Sequence, residues 1–305
     1  MQQFFQMAQI QSVLFIYMLI GFAARKTGKV QSSARQSINN LLLYVCLPCM
    51  IFQSFDLEMN AETFKTGAVA MLAALFSALV ALVLGRFLYS WAPPEERSIL
   101  QYGTLVSNSG FAGLPVVESA YGAQGLFIGS LYIIPTRILM WSAGISLFTD
   151  APLAKRVKSV LTNPGILAVF AGLLRMVLRP AFPAPVTKAL GALGSMTTPM
   201  AMILIGMILA EVELRRVTDI LEPKAFFLVG VRQFLQPLIA LMVLRLFHVD
   251  SLTLSVAVVL TGMPIGSTTA LLADQYGANA AFASKCVFVS TLTSLVTIPI
   301  LTLFL

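Results

Sequence analysis

Apolar residues fill this chain in long blocks separated by short polar stretches. Ten blocks can be drawn, at roughly 6–24, 38–55, 66–90, 98–121, 124–149, 160–178, 187–210, 225–247, 251–275 and 281–305. Each is close to the ~20 residues that an α-helix needs to cross a bilayer. The pattern therefore predicts an all-α membrane protein with ten transmembrane helices. Very short turns at Gly122 and Gly277 join the fourth block to the fifth and the ninth to the tenth, so each pair is expected to form a hairpin.

Two blocks are interrupted near their centres. The fourth contains Ser107-Asn108-Ser109-Gly110-Phe111-Ala112-Gly113-Leu114-Pro115, and the ninth contains Thr261-Gly262-Met263-Pro264-Ile265-Gly266-Ser267-Thr268-Thr269. Proline removes a backbone donor and glycine weakens a helix. In lipid, such a break survives only where protein or a water-lined cavity satisfies the freed polar groups. Each break is thus either a packed kink or a binding site made of opened backbone. The tails that follow, Tyr121-Gly122-Ala123 and Tyr276-Gly277-Ala278, align at an offset of 155 residues, which sets Asn108 opposite Met263 and Ser109 opposite Pro264. Arg25 and Arg175 are 150 apart, and Pro48 and Pro199 are 151 apart. Residues 1–149 then read as one five-helix repeat, 150–163 as a cytoplasmic linker and 164–305 as a second repeat. An odd number of crossings per repeat makes the two inverted. Interrupted helices at matching places in inverted repeats are the sequence mark of a transporter's binding site.

Composition agrees with a life in lipid: the 305 residues are 58% hydrophobic, 11% charged and have a mean hydropathy of +0.86. Soluble domains carry about 25% charge. The net charge of +7 is not read as nucleic-acid binding, because basic residues gather in the loops of one side. With the N-terminus outside, the inner loops hold Arg25, Lys26, Lys29, Arg35, Arg86, Arg97, Lys155, Arg156, Lys158, Arg215, Arg216 and Lys224. The outer loops hold Lys65, Arg175, Arg179, Lys188 and Arg245. Twelve against five places both termini outside. No basic residue precedes the first apolar run and no small-residue cleavage site follows it, so no cleaved signal peptide is expected.

Charges inside the blocks are the next candidates, because they are costly in a membrane. Arg137, at the middle of the fifth block, has the place either to attract an anionic substrate or to neutralise Glu118. Glu118 and Asp274 have the place to carry a coupling proton; both also lie near a helix end, where water would reach them. Arg232 and Lys285 are expected to snorkel to the cytoplasmic surface. Enzyme chemistry has little support: His248 is the sole histidine, Ser109 lacks a nearby base, and there is no P-loop. No metal or cofactor is expected. Cys46-Leu47-Pro48-Cys49 lacks the strand-helix context of a redox pair and reads as apolar filler.

The run Asn108-Ser-Gly-Phe-Ala-Gly-Leu-Pro115 resembles the auxin efflux carrier family, the bacterial relatives of plant PIN proteins. Members carry a Gly-Asn-Thr-Gly-Phe-x-Gly-Leu-Pro type motif; here Ser107 replaces the leading glycine and Ser109 the threonine. Leu43-Tyr44-Val45-Cys46-Leu47-Pro48, Thr198-Pro199-Met200-Ala201, Met263-Pro264 and Thr293-Ser294-Leu295 extend the match along the whole chain. The resemblance implies ten helices in two inverted repeats with broken, crossing helices 4 and 9, similar to bile-acid symporter and sodium–proton antiporter folds. It implies a scaffold of spans 1, 2, 6 and 7, a transport domain of spans 3–5 and 8–10, frequent homodimers and organic-anion substrates such as malonate or malate. It carries over Asn108, Pro115 and Pro264 as site positions, and a lysine is frequent near the place of Arg232. The expectation is a secondary transporter of small organic anions in the bacterial inner membrane. Its site would hold Asn108, Ser109, Gly110, Pro115, Met263, Pro264, Ser267, Thr268 and Arg137, with a proton or sodium as coupling ion. An anion channel and a non-transporting receptor are the rival readings.

Overall fold

The computed structural model describes residues 2–58, 60–149, 157–158, 161–211 and 222–305. Lys155, Arg156, Arg215, Arg216 and most of the 150–163 linker lie outside these. The regular secondary structure of the described residues is helical, with one isolated β-bridge. The helices are α1 (Gln2–Lys26), α2 (Ser32–Ser54), α3 (Ala61–Leu88), α4 (Pro94–Leu105), α5 (Ser109–Leu147), α6 (Pro164–Leu178), α7 (Ala184–Ala210), α8 (Pro223–Leu246), α9 (Ser251–Thr261), α10 (Thr268–Gln275) and α11 (Ala280–Phe304). Seven of them are long and apolar enough to cross a membrane; α6 and α9 are shorter apolar helices. Phe64, Leu72, Phe87, Leu174 and Leu246 point outward fully or largely exposed, as side chains facing lipid do. The chain is a multi-pass membrane protein.

Helix starts follow local chemistry. Asn60 caps α3 through Thr63 N–H (2.8 Å), and Thr63 Oγ1 accepts from Asn60 N–H in return (2.9 Å). Asn163, Asp250 and Asn279 cap α6, α9 and α11. The second helix begins at Ser32, earlier than the apolar block, because its first turns are polar and Arg35 pairs with Glu211 at the end of α7. Asn39 and Asn40 therefore lie within a helix, and Asn40 accepts from Gln36 Nε2 (2.9 Å).

Three prolines inside helices are absorbed by widening. Five-residue π-turns at Leu42–Cys46, Ser109–Gly113 and Val231–Leu235 each end two residues before Pro48, Pro115 and Pro237. A proline clashes with the carbonyl four residues back and cannot bond it. An i→i+5 turn removes that demand.

Packing between helices rests on small residues. A Cβ on Gly21 of α1 would strike the Ile203 carbonyl of α7, and one on Gly206 of α7 would strike the Met18 carbonyl of α1. The two backbones touch, as small residues permit in membrane helix pairs. Two ion pairs tie helix ends: Arg25 Nε to Glu211 Oε1 (3.0 Å) joins α1 to α7, and Arg175 Nη2 to Asp56 Oδ2 (2.8 Å) joins α6 to the end of α2.

Candidate functional site

The two breaks meet. α4 stops at Leu105, Val106 is extended (φ −106°, ψ 107°), and α5 starts at Ser109. α9 stops at Thr261 and α10 starts at Thr268. Asn108 N–H donates to Pro264 O (2.7 Å) and Gly266 N–H donates to Val106 O (3.0 Å), around an antiparallel bridge of Ser107 with Ile265. Ile265 N–H donates to Ser290 Oγ of α11 (3.2 Å). Each interrupted segment thus supplies the backbone partners that lipid cannot.

Asn108 is 7% exposed, and its carbonyl accepts from the N–H groups of Ala112 and Gly113 (3.0 Å each). Its carboxamide has no partner among the described residues. Ser109, Gly110, Pro115, Met263 and Pro264 are buried, and Ser267 and Thr268 are half-buried. Thr268 Oγ1 lies 3.2 Å from the Tyr102 hydroxyl. The first N–H groups of α5, from Ser109 to Phe111, have no intrahelical acceptor, as at every helix start. Arg137, from the far part of α5, reaches back to them: a Cβ on Gly110 would collide with its Nη2. Its Nη1 contacts Met140 Sδ (3.4 Å), and it forms no ion pair among the described residues. A fixed positive charge and the positive end of a half-helix therefore converge at Gly110.

The two carboxylates separate. Glu118 is half-buried and accepts from Thr198 Oγ1 of α7 (3.2 Å), so Arg137 does not neutralise it. Asp274 is exposed at the end of α10. Arg232 also departs from the sequence reading. Instead of snorkelling it is 3% exposed and donates from Nη1 to Thr104 O (3.0 Å) and to Gln236 Oε1. A cavity of about 30 Å³ lies beside the breaks, lined by Gln11, Leu14 and Met18 of α1, Met202 and Ile205 of α7, and Ala112, Val116, Met263, Pro264, Thr291, Ser294, Leu295 and Ile298. It has room for a water molecule or two. Sequence reasoning passed over Gln11 and Tyr102. A glutamine in the middle of the first apolar block was the available signal for Gln11; nothing marked Tyr102 among other aromatics.

Lipid-facing helices surround two mutually satisfied breaks, and similarity to known proteins makes this a membrane transport protein, not an enzyme. The chain belongs to the family described as membrane transport protein, whose model matches residues 6–302, and this is the auxin efflux carrier family that the motifs resemble. Among its relatives, an uncharacterized transporter of Methanothermobacter thermautotrophicus is 26% identical over 95% of this chain and 95% of its own. An uncharacterized transporter of Methanocaldococcus jannaschii is 24% identical over 94% and 95%. A Rhizobium meliloti protein, named as a proposed malonate transporter, is 23% identical over 96% and 94%.

Proposed function

We propose that this transporter is a secondary carrier of small organic anions, mono- or dicarboxylates, whose carboxylate binds at the paired breaks. The observation that carries this reading is Arg137, set against Gly110 at the open start of α5 with no acidic partner. Holding a guanidinium away from water costs several kcal/mol unless an anion or backbone carbonyls balance it. The free N–H groups of α5 and the carboxamide of Asn108 add neutral donors at the same place. The relative named for malonate supports the same substrate class.

The architecture we infer for this carrier is ten crossings in two inverted repeats, with both termini on the periplasmic side of the inner membrane. Three pairs of features support it. Gly122 (φ 63°) and Gly277 (φ 70°), 155 residues apart, are both left-handed at the hairpin turns. The Arg25–Glu211 and Arg175–Asp56 pairs match each other at offsets of 150 and 155 residues and join different helix ends. The π-turn and proline of α2 are answered by the break at Met196 before Pro199 of α7. On this reading α1, α2, α6 and α7 form the scaffold and the other helices carry the site.

The test is binding by detergent-purified protein. A thermal-shift screen of mono- and dicarboxylates, malonate included, should return at least one ligand. For that ligand, Asn108→Ala and Arg137→Gln, each eluting at wild-type size, should each lose about 1.5–3 kcal/mol of a hydrogen bond to charge, or roughly ten- to hundredfold in affinity. Wild-type affinity in both variants would move the site elsewhere. Saturable uptake into liposomes separates a carrier from a channel, and uptake itself separates it from a receptor.

A further inference from the structure

Gln11 stands within α1 and is 7% exposed. Its carboxamide has no hydrogen-bond partner among the described residues. It lines the cavity beside the breaks, and Met263 and Pro264 form another part of the same wall. Pro264 is the residue whose carbonyl accepts from Asn108 N–H, so the cavity borders the proposed site directly. An amide shut away from bulk water without a partner works against folding. A leucine or methionine would fill the place without that cost. A ligand that pairs with the amide explains why a glutamine stands there.

The rest of the wall limits what that ligand presents. Leu14, Met18, Met202 and Ile205 are apolar. Thr291 and Ser294 also line the cavity, but their hydroxyls donate to Val287 O and Thr291 O within α11, each at 2.7 Å. No lining residue carries a charge or titrates. The charged groups of the surrounding helices lie outside the lining. Arg137 is held at Gly110, Glu118 accepts from Thr198, and Glu211 pairs with Arg25 and Arg35. Lys26 and Lys188 are exposed, and Lys285 is near the start of α11. One guanidinium at the breaks therefore balances one carboxylate. A second ionised carboxylate would be buried against a single neutral amide, which is unfavourable. A protonated carboxyl suits that amide. It brings one O–H donor and one C=O acceptor, the complement of the carboxamide's C=O and N–H.

We infer that Gln11 recognises the neutral far end of the substrate, so that a dicarboxylate is taken as its monoanion, one end ionised at the breaks and the other held as a carboxylic acid by Gln11. The proton then travels on the substrate. The carboxyl O–H bond stays formed from uptake to release, and no side chain of the carrier gains or loses a proton. The inference rests on the carrier reading above and deepens it, from an anion to a singly charged one with a neutral polar end.

The experiment titrates detergent-purified protein with malonate and with malonamate, its monoamide, over a range of pH. Malonamate keeps a single negative charge and a neutral end where malonate becomes a dianion. Above malonate's second ionisation its apparent affinity should fall about tenfold per pH unit, while that of malonamate stays level. Gln11→Met should weaken malonamate about tenfold at every pH. The same variant, unliganded, should unfold no lower than wild type, because it loses an unpaired amide. Glu118→Gln should keep the full pH slope for malonate. Malonate affinity that stays level or rises with pH overturns the inference, since the dianion is then the bound form. Loss of the slope in Glu118→Gln overturns it too, because the proton then belongs to the protein. So does a Gln11→Met variant that binds malonamate as wild type does. So does one that unfolds several degrees lower or fails to fold, since the amide then braces the helices. A protein that binds a simple monocarboxylate but neither malonate nor malonamate refutes this inference and spares the carrier reading. That reading fails by its own test, when Asn108→Ala and Arg137→Gln leave carboxylate affinity unchanged.

Discussion

Gly110 sets the geometry of the proposed site, because its missing Cβ leaves the place taken by the Arg137 guanidinium. Gly110→Ala should therefore act on binding more than on folding. The atom in the way is the far end of a flexible side chain, and alanine suits a helical turn better than glycine does. Stability should stay within about 1 kcal/mol of wild type, while carboxylate affinity falls about tenfold, or ~1.4 kcal/mol; unfolding midpoints and ligand titration of the same preparation check both. An unchanged affinity would detach the guanidinium from the site. At this scale the sequence was half legible. Glycine, proline and asparagine inside an apolar block are conspicuous, which is why Asn108, Gly110 and Pro115 stood out, and a lone arginine there is equally plain. Partners 27 residues apart were not readable, so nothing foretold that Arg137 would settle on Gly110 rather than on Glu118. The same blindness hid Arg232. Whether a basic side chain reaches the surface or turns inward depends on the helix face and on an acceptor, here Thr104 O, that belongs to another helix.

Among the elements, the turns and the widened helices carry the consequences. Gly122 has φ 63° and ψ −156°, a region essentially closed to residues with a Cβ. Open space surrounds the position where that Cβ would stand, so strain rather than collision decides the outcome. Gly122→Ala should cost about 1–3 kcal/mol, read as a lower unfolding midpoint in detergent. A wild-type midpoint would mean that the turn tolerates other backbone angles. The hairpin at Gly122 was visible as a short polar gap between two apolar blocks, and within the stretch Ser109–Leu147 that glycine, with its non-helical backbone, marks where one helix ends and the next begins. The π-turns were not legible at all. Sequence announces a proline and hence trouble in a helix; whether the helix kinks, breaks or widens is settled by neighbours. In α2, α5 and α8 it widens, and at Met196 of α7 it breaks.

For the whole molecule, the all-helical class followed from apolar blocks of bilayer length, which need no tertiary information to recognise. Sidedness is a property that the fold does not fix, and the proposed one rests on the basic residues. Reporter fusions should give periplasmic activity at Leu305 and cytoplasmic activity after Arg156, because inner loops outnumber outer ones in lysine and arginine by twelve to five. Cytoplasmic activity at Leu305 would overturn both the number of crossings and the inversion of the repeats. The proposed likeness of the halves rests on motif spacing, in which turns and breaks keep their glycines and prolines. The matching ion pairs at Glu211 and Asp56 were not, because acidic partners at helix ends look like any other solvated charge until the arginines are placed beside them.

The ladder between the breaks has a mechanical consequence. Parting Asn108 from Pro264 and Gly266 from Val106 would strand two buried donors and two acceptors, at several kcal/mol for each group left unpaired. Along the cavity, by contrast, Leu14, Met18, Met202 and Ile205 face Ala112, Val116 and Met263. Dispersion has little directional preference, so these surfaces can slide over each other and lose little so long as they stay covered. The molecule thus sets a welded seam and a smooth apolar face side by side, and the seam runs through the proposed site while the face runs past it.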